Sequence, residues 1–88
     1  MIWDNLHSDI AGTTSVNASS EDFLALGMQY CLGHGVAANN IIAHKWFNIA
    51  AMKGSDKARS YRLELSQEMS AAEIAEAQKQ ARAFLTVH

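Results

Sequence analysis

The chain has 88 residues, of which 49% are hydrophobic and 18% charged, and its formal net charge is −2 at pH 7. This length suits one compact domain with a small core, and the composition is that of a folded rather than a disordered chain. The seven Lys and Arg are dispersed between Lys45 and Arg82, which argues against a nucleic-acid partner. A single cysteine, Cys31, excludes an internal disulfide and a cysteine-rich zinc site.

The chain lacks the apolar segments that direct proteins to membranes. No apolar run is long enough for a membrane span, and the first residues have no basic region followed by a long apolar stretch, as a secretory signal has. We therefore expect no membrane partner and a cytoplasmic location. There is no proline, and five glycines divide the chain into pieces of helical length, which predicts an all-α fold.

Residues 1–20 are predicted to form an N-terminal segment separate from a helical domain at 21–88. Its first part has three large apolar residues at the spacing of one helix face: Trp3, Leu6 and Ile10. This part is either a short helix that ends at Gly12 or a frayed terminus, and residues 13–20 are a polar linker. If it is ordered, we expect its apolar residues to be buried against helices of this chain or of a second copy.

Four helices are predicted from capping residues. The first begins at Ser19 or Ser20 and ends before Gly33, and the second begins near Asn39 and runs to Lys53, where Gly54 provides a left-handed stop. Their predicted buried faces are Phe23, Leu26 and Tyr30 in the first, and Ala43, Trp46, Phe47, Ala50 and Ala51 in the second.

The third helix follows at once, because Ser55 can cap it directly after the glycine stop. The clearest start belongs to the fourth helix, where Ser70 and Glu73 form a capping box and the helix runs from about Ala71 to Leu85. The predicted buried residues are Ala58, Tyr61 and Leu65 in the third helix, and Ile74, Ala77, Ala81, Phe84 and Leu85 in the fourth.

Small and large residues alternate in the first two helices in a way that allows the helices to approach closely while large side chains fill the space between them. The residues of this pattern are Leu26, Gly27, Tyr30, Gly33, Gly35, Ala43, Trp46, Phe47, Ala50, Ala51, Gly54 and Ala58. The pattern resembles a Sel1-like repeat. The resemblance implies a tetratricopeptide-like α/α superhelix of helix hairpins, here with one full repeat followed by a C-terminal capping hairpin.

The chain also departs from the Sel1-like pattern. Asn39 stands where the family usually has Asp, and Ile42 stands where it has a charged residue. At the positions 36 residues after Leu26, Gly27 and Tyr30, the chain has Arg62, Leu63 and Ser66. The second unit has therefore lost the residues that would receive a further repeat, and the fourth helix is expected to close the stack.

No arrangement of residues indicates catalysis, and no cofactor is expected. Cys31, His34 and His44 are the candidates for a metal site, but a second pair of ligands is missing, so we interpret His34 as a loop residue and His44 as a helix-surface residue. Gly33-His34-Gly35 is explained by the reversal between two helices rather than by phosphate binding. The acidic residues suit helix first turns and solvated helix faces.

The resemblance implies an adaptor or scaffold in bacterial signalling or assembly that binds another protein. The candidate binding surface is the face of the first helix away from its core stripe, where Met28 can adapt to varied partners: Ala25, Met28, Gln29 and Leu32. Met28 is equally well explained as filling a gap between helices. Because solenoid repeats usually need about three units for stability, the open core face must be covered by the N-terminal segment, a second copy or a longer parent chain. This leaves a second hypothesis, a self-associating structural subunit and homodimer.

Overall fold

The computed structural model describes residues 18–87, which form four helices and no strand. In chain order these are α1 (Ser20–Leu32), α2 (Asn40–Met52), α3 (Asp56–Ser66) and α4 (Ala71–Val87). The predicted all-α class is therefore confirmed for this part of the chain. The predicted short helix at the N-terminus and most of the linker after it lie outside the described residues.

Helix α1 has a reciprocal cap at its start and a left-handed glycine at its end. The Ser19 hydroxyl accepts from the Asp22 backbone N–H at 3.2 Å, and the Asp22 carboxylate accepts from the Ser19 N–H at 3.0 Å. At the other end Gly33 has φ 74°, and its N–H donates to the Gln29 carbonyl at 2.8 Å. The predicted limits of this helix are confirmed, and the capping box adds Asp22 to the predicted hydroxyl cap.

The short connection between α2 and α3 is built as predicted. The Asn39 side chain accepts from the Ile42 N–H at 3.0 Å and so starts α2, which ends one residue before the predicted position. Gly54 has φ 109°, a backbone conformation that residues with a side chain rarely adopt. The Ser55 hydroxyl then accepts from the Ala58 N–H at 3.1 Å, so the new helix begins without a linker.

The capping box of α4 provides a test of its start. The Ser70 hydroxyl accepts from the Glu73 N–H at 3.1 Å, and the Glu73 carboxylate accepts from the Ser70 N–H at 2.8 Å. Ser70→Ala should lower the free energy of unfolding by ~0.5–2 kcal/mol, because an N-terminal amide loses its acceptor. Thermal melting by circular dichroism measures the loss, with Ser60→Ala, an exposed site within α3, as the control. Equal melting of the two variants would contradict a stabilising cap.

Helix α2 lies at the centre of the fold. The helix pairs with extensive contact all include α2, so α3 and α4 pack on α2 rather than mainly on each other. The five residues predicted to be its buried face are all buried, and so are Ile49 and His44. A helix covered from three directions buries more than one stripe, which explains why the predicted face was too narrow.

The closest approach of α1 and α2 occurs at Gly27. A Cβ placed on this glycine would lie 2.5 Å from Cε1 and 3.1 Å from Cγ of Phe47. At the corresponding position of α3 stands Leu63, whose side chain is 60% exposed. The small residue that allows close packing of α1 is therefore absent from α3, in agreement with the limited contact between α3 and α4.

Aromatic rings link α2 to each of its neighbours. Trp46 stacks on Phe23 of α1 with ring centroids 5.7 Å apart and meets the edge of Phe84 of α4 at 5.2 Å. Phe47 stacks on Tyr61 of α3 at 5.6 Å. Ring pairs at these distances add to the burial of apolar area, so three helices are fixed around one.

Candidate protein-interaction cleft

A cleft runs between α1 and α3. Its first end is a cavity of about 530 Å³ lined by α1 from Ser20 to Met28 and by residues 54–57, where α3 begins. Its second end is a cavity of about 190 Å³ lined by Cys31 near the end of α1, by Asn40 and Phe47 of α2, and by the C-terminal half of α3 with the turn after it. The two helices therefore run in the same direction, with one cavity near their starts and the other near their ends, and we call these two cavities together the cleft.

Three of the four predicted binding residues lie together. A third cavity, of about 300 Å³, shares Ala25 and Met28 with the first and adds Gln29 and His34. Leu32 is 54% exposed and lines none of these three cavities. Met28 is half-buried against the core, so it both fills an interhelix gap and faces the cleft.

Sequence reasoning missed the side of the cleft that α3 contributes. The second cavity is lined by aromatic and apolar groups together with two carboxylates: Phe47, Tyr61, Leu65, Glu64 and Glu68. We had interpreted Glu64 and Glu68 only as solvated residues, and they are indeed exposed. The signal that indicates this surface is Glu64 at helical spacing from Tyr61 near the end of α3, with Glu68 in the turn that follows.

The described cavities of the cleft are lined by more carboxylates than cations. Glu21 and Asp56 line its first end with Lys57, and Glu64 and Glu68 line its second end. Asp56 forms an ion pair with Arg59 at 2.9 Å. The pKa of the Cys31 thiol is raised, first by burial and second by the charge of Glu68, which lines the same cavity.

Other cations lie over aromatic rings or against polar groups outside the cleft. The ammonium of Lys45 is 4.3 Å from the centre of the Trp46 ring, and burial lowers its pKa. The ammonium of Lys53 is 5.9 Å from the Phe23 ring, and Arg62 donates to the Asn48 side chain at 2.6 Å. These cations therefore contribute to packing around α2 and leave the cleft acidic.

His44 is buried, with 1% of its surface exposed, and its interpretation as a surface residue was wrong. The Ser66 hydroxyl donates its one hydrogen to the Arg62 carbonyl at 2.8 Å, so its oxygen accepts from His44 Nε2–H at 2.9 Å. Nδ1 is buried without a hydrogen-bond partner among the described residues. The polar pairs His44/Asn48 and Arg62/Ser66, each four residues apart, thus face each other across α2 and α3.

Acid should destabilise the protein through His44. Burial, and second the charge of Arg62, lower its pKa below the ordinary 6.5. The unfolded chain therefore binds the proton more readily, so stability is greatest above pH 6.5 and is lost as pH falls from there through the lowered pKa. Thermal melting between pH 7.5 and 5 measures this loss. His44→Gln, which keeps a donor for Ser66, should reduce the pH dependence, whereas the exposed-site control His34→Gln should retain it; equal slopes would contradict the assignment.

The candidates for a metal site are not brought together. His44 contacts Ser66, Cys31 lies in the cavity beside Glu68, and His34 lines the separate cavity with Gln29. Within residues 18–87, no three His, Cys, Asp or Glu side chains form a group suited to hold a metal ion. The same residues contain no helix with the length and hydropathy needed to cross a membrane.

The described lining of the cleft is chemically mixed. It offers apolar surface, exposed carboxylates and an aromatic ring. Comparison of the chain with known protein families, with characterised proteins and with solved structures finds no match.

Proposed function

We propose that this chain is a protein-interaction module that binds a segment of another protein in the cleft between α1 and α3. The observation that carries the proposal is the cleft itself, whose lining includes the half-buried Leu24 and Met28 of α1 and the exposed ring of Tyr61 of α3. Apolar grooves of this kind are a common way to bind a helical or extended segment. Binding without catalysis is the function that these residues support best.

The packing also supports a Sel1-like, tetratricopeptide-like superhelix as the architecture. In such a repeat the first helices of successive units run side by side; in support, α1 and α3 run in the same direction and both pack on α2. The close approach at Gly27 and Phe47 is the contact that the repeat pattern requires. By the same resemblance, we propose that α3 and α4 close the stack and that the protein is a bacterial adaptor or scaffold in the cytoplasm.

Obstruction of the cleft tests the proposed function. Ala25 is exposed within the cleft, so Ala25→Gln introduces a long neutral side chain without disturbing the core. Proteins retained from the native cell lysate by the immobilised chain should bind the variant at least about tenfold less tightly, a difference of ~1.4 kcal/mol. Ala75→Gln, an exposed change on α4, is the matched control and should retain them. Equal retention by both variants would contradict binding in this cleft.

A self-associating subunit is the second candidate function. The observation that favours it is the place where α1 starts. Ser20 and Glu21 line the cleft, so the residues that precede them join α1 at the first cavity. On this hypothesis Trp3, Leu6 and Ile10 occupy the cleft of their own or a neighbouring chain.

Deletion of residues 1–12 separates the two candidates. If these residues fill the cleft, the truncated chain should melt earlier, because each large apolar group that is buried contributes on the order of 1.5–3 kcal/mol before the cost of ordering the segment. If they exchange between chains, the truncated chain should also change from dimer to monomer in sedimentation equilibrium. Unchanged melting and mass would reject this candidate and leave the cleft to a different protein.

A further inference from the structure

We propose that the segment bound in the cleft is a basic, partly apolar peptide, with a Lys or Arg placed at the second end of the cleft beside Glu64 and Glu68. This inference rests on the proposed function and adds to it the chemistry of the partner. It is based on three features of the described residues: the charges that line the cleft, the apolar groups between them, and the charges of the alternative occupants.

The charges of the cleft favour a cation. Four carboxylates line its two end cavities, those of Glu21, Asp56, Glu64 and Glu68, against one ammonium, that of Lys57. Asp56 already has a partner in Arg59. Glu64 near the end of α3 and Glu68 in the turn after it line the same small cavity, so a cation bound there is attracted by both carboxylates. We therefore expect a basic side chain to gain the most electrostatic attraction at the second end of the cleft.

The surface between the charges is suited to apolar side chains. Leu24 and Met28 lie along α1, and a methionine can adapt its shape to different side chains. Tyr61, 37% exposed, presents a ring that is already fixed by its stack on Phe47. An aromatic ring beside two carboxylates is a favourable place for an ammonium or guanidinium group, because the ring face attracts cations.

Charge disfavours the other occupants. Residues 1–20 contain no Lys or Arg but include Asp4 and Asp9, so this segment would bring carboxylates to an acidic cleft. A second copy has the same net charge of −2, and two of its cations, Lys45 and Lys53, lie over aromatic rings. A basic segment of another protein is the occupant that complements the cleft.

Selection from a phage library of random peptides on the immobilised chain tests the inference. We expect the recovered peptides to be enriched in Lys or Arg next to apolar residues. Synthesised with a fluorophore and titrated by anisotropy, they should bind the double variant Glu64→Gln/Glu68→Gln about three- to tenfold more weakly, since each exposed ion pair contributes little alone. The control variant Glu76→Gln, at an exposed site on α4, should bind the peptides with the affinity of the wild type.

The outcomes distinguish this inference from the proposed function. If the recovered peptides lack basic residues, or bind the double variant as tightly as the wild type, the inference of a basic partner is wrong. If the same peptides no longer bind Ala25→Gln, the cleft is still supported as a binding site. Peptides that Ala25→Gln leaves unaffected, or no enrichment at all, overturn the proposed function itself. Binding seen only after deletion of residues 1–12 identifies that segment as the occupant, and binding that disappears as protein concentration rises identifies a second copy; both overturn the inference.

Discussion

Gly27→Leu should unfold the domain or lower its melting temperature more than any surface substitution. Even the first carbon of the new side chain would lie 2.5 Å from Phe47 Cε1, and the remaining carbons have no room. The Phe47 ring cannot move away easily, because it is buried and stacks on Tyr61. Overpacking of this kind costs ~1–3 kcal/mol or more, a large part of the stability of a small domain.

Ala75→Leu is the matched control for this change. It adds a leucine to an exposed position within a helix, so it should leave melting nearly unchanged. Gly27→Ala gives an intermediate test, because alanine favours a helix by about 1 kcal/mol over glycine and should nevertheless destabilise at this site. If Gly27→Leu melts with the wild type, α1 does not approach α2 as closely as the structure places it.

The helix limits were predictable because they depend on local chemistry. Hydroxyl and amide caps at Ser19, Asn39, Ser55 and Ser70 satisfy backbone groups within three residues of themselves, so their role can be deduced from neighbouring residues alone. The close contact at Gly27 was also predictable. A glycine lowers the stability of a helix, so its presence within α1 indicates that a neighbouring helix needs the space.

The features that were missed depend on which helices meet. The burial of Ile49 and His44 follows from the packing of three helices around α2, and periodicity along one helix shows one face only. The α1 side of the cleft, with Ala25 and Met28, was predictable as a helix face away from the core. The opposite side, with Glu64, became apparent only once α3 was placed beside α1.

Trp46→Ala should lower the free energy of unfolding by ~3–5 kcal/mol, the range for an aromatic residue removed from a core. The Trp46 side chain is 6% exposed and contacts Phe23 and Phe84, so its loss weakens the packing of α2 with both α1 and α4. It also removes the nearer of the two rings beneath the Lys45 ammonium and leaves that half-buried cation over the Phe84 ring, 5.9 Å away. Chemical denaturation measured by circular dichroism gives the size of the effect.

Trp46→Phe tests whether the loss comes from packing or from the indole N–H. Nε1 of Trp46 is buried without a hydrogen-bond partner among the described residues, so phenylalanine removes an unfavourable group together with some packing volume. We therefore expect Trp46→Phe to lose much less stability than Trp46→Ala. Leu63→Ala, at an exposed site on α3, should change stability by no more than about 0.5 kcal/mol and serves as the control. In a Trp3→Phe background, Trp46 is the remaining tryptophan, and emission typical of a water-exposed indole would contradict its place between α1, α2 and α4.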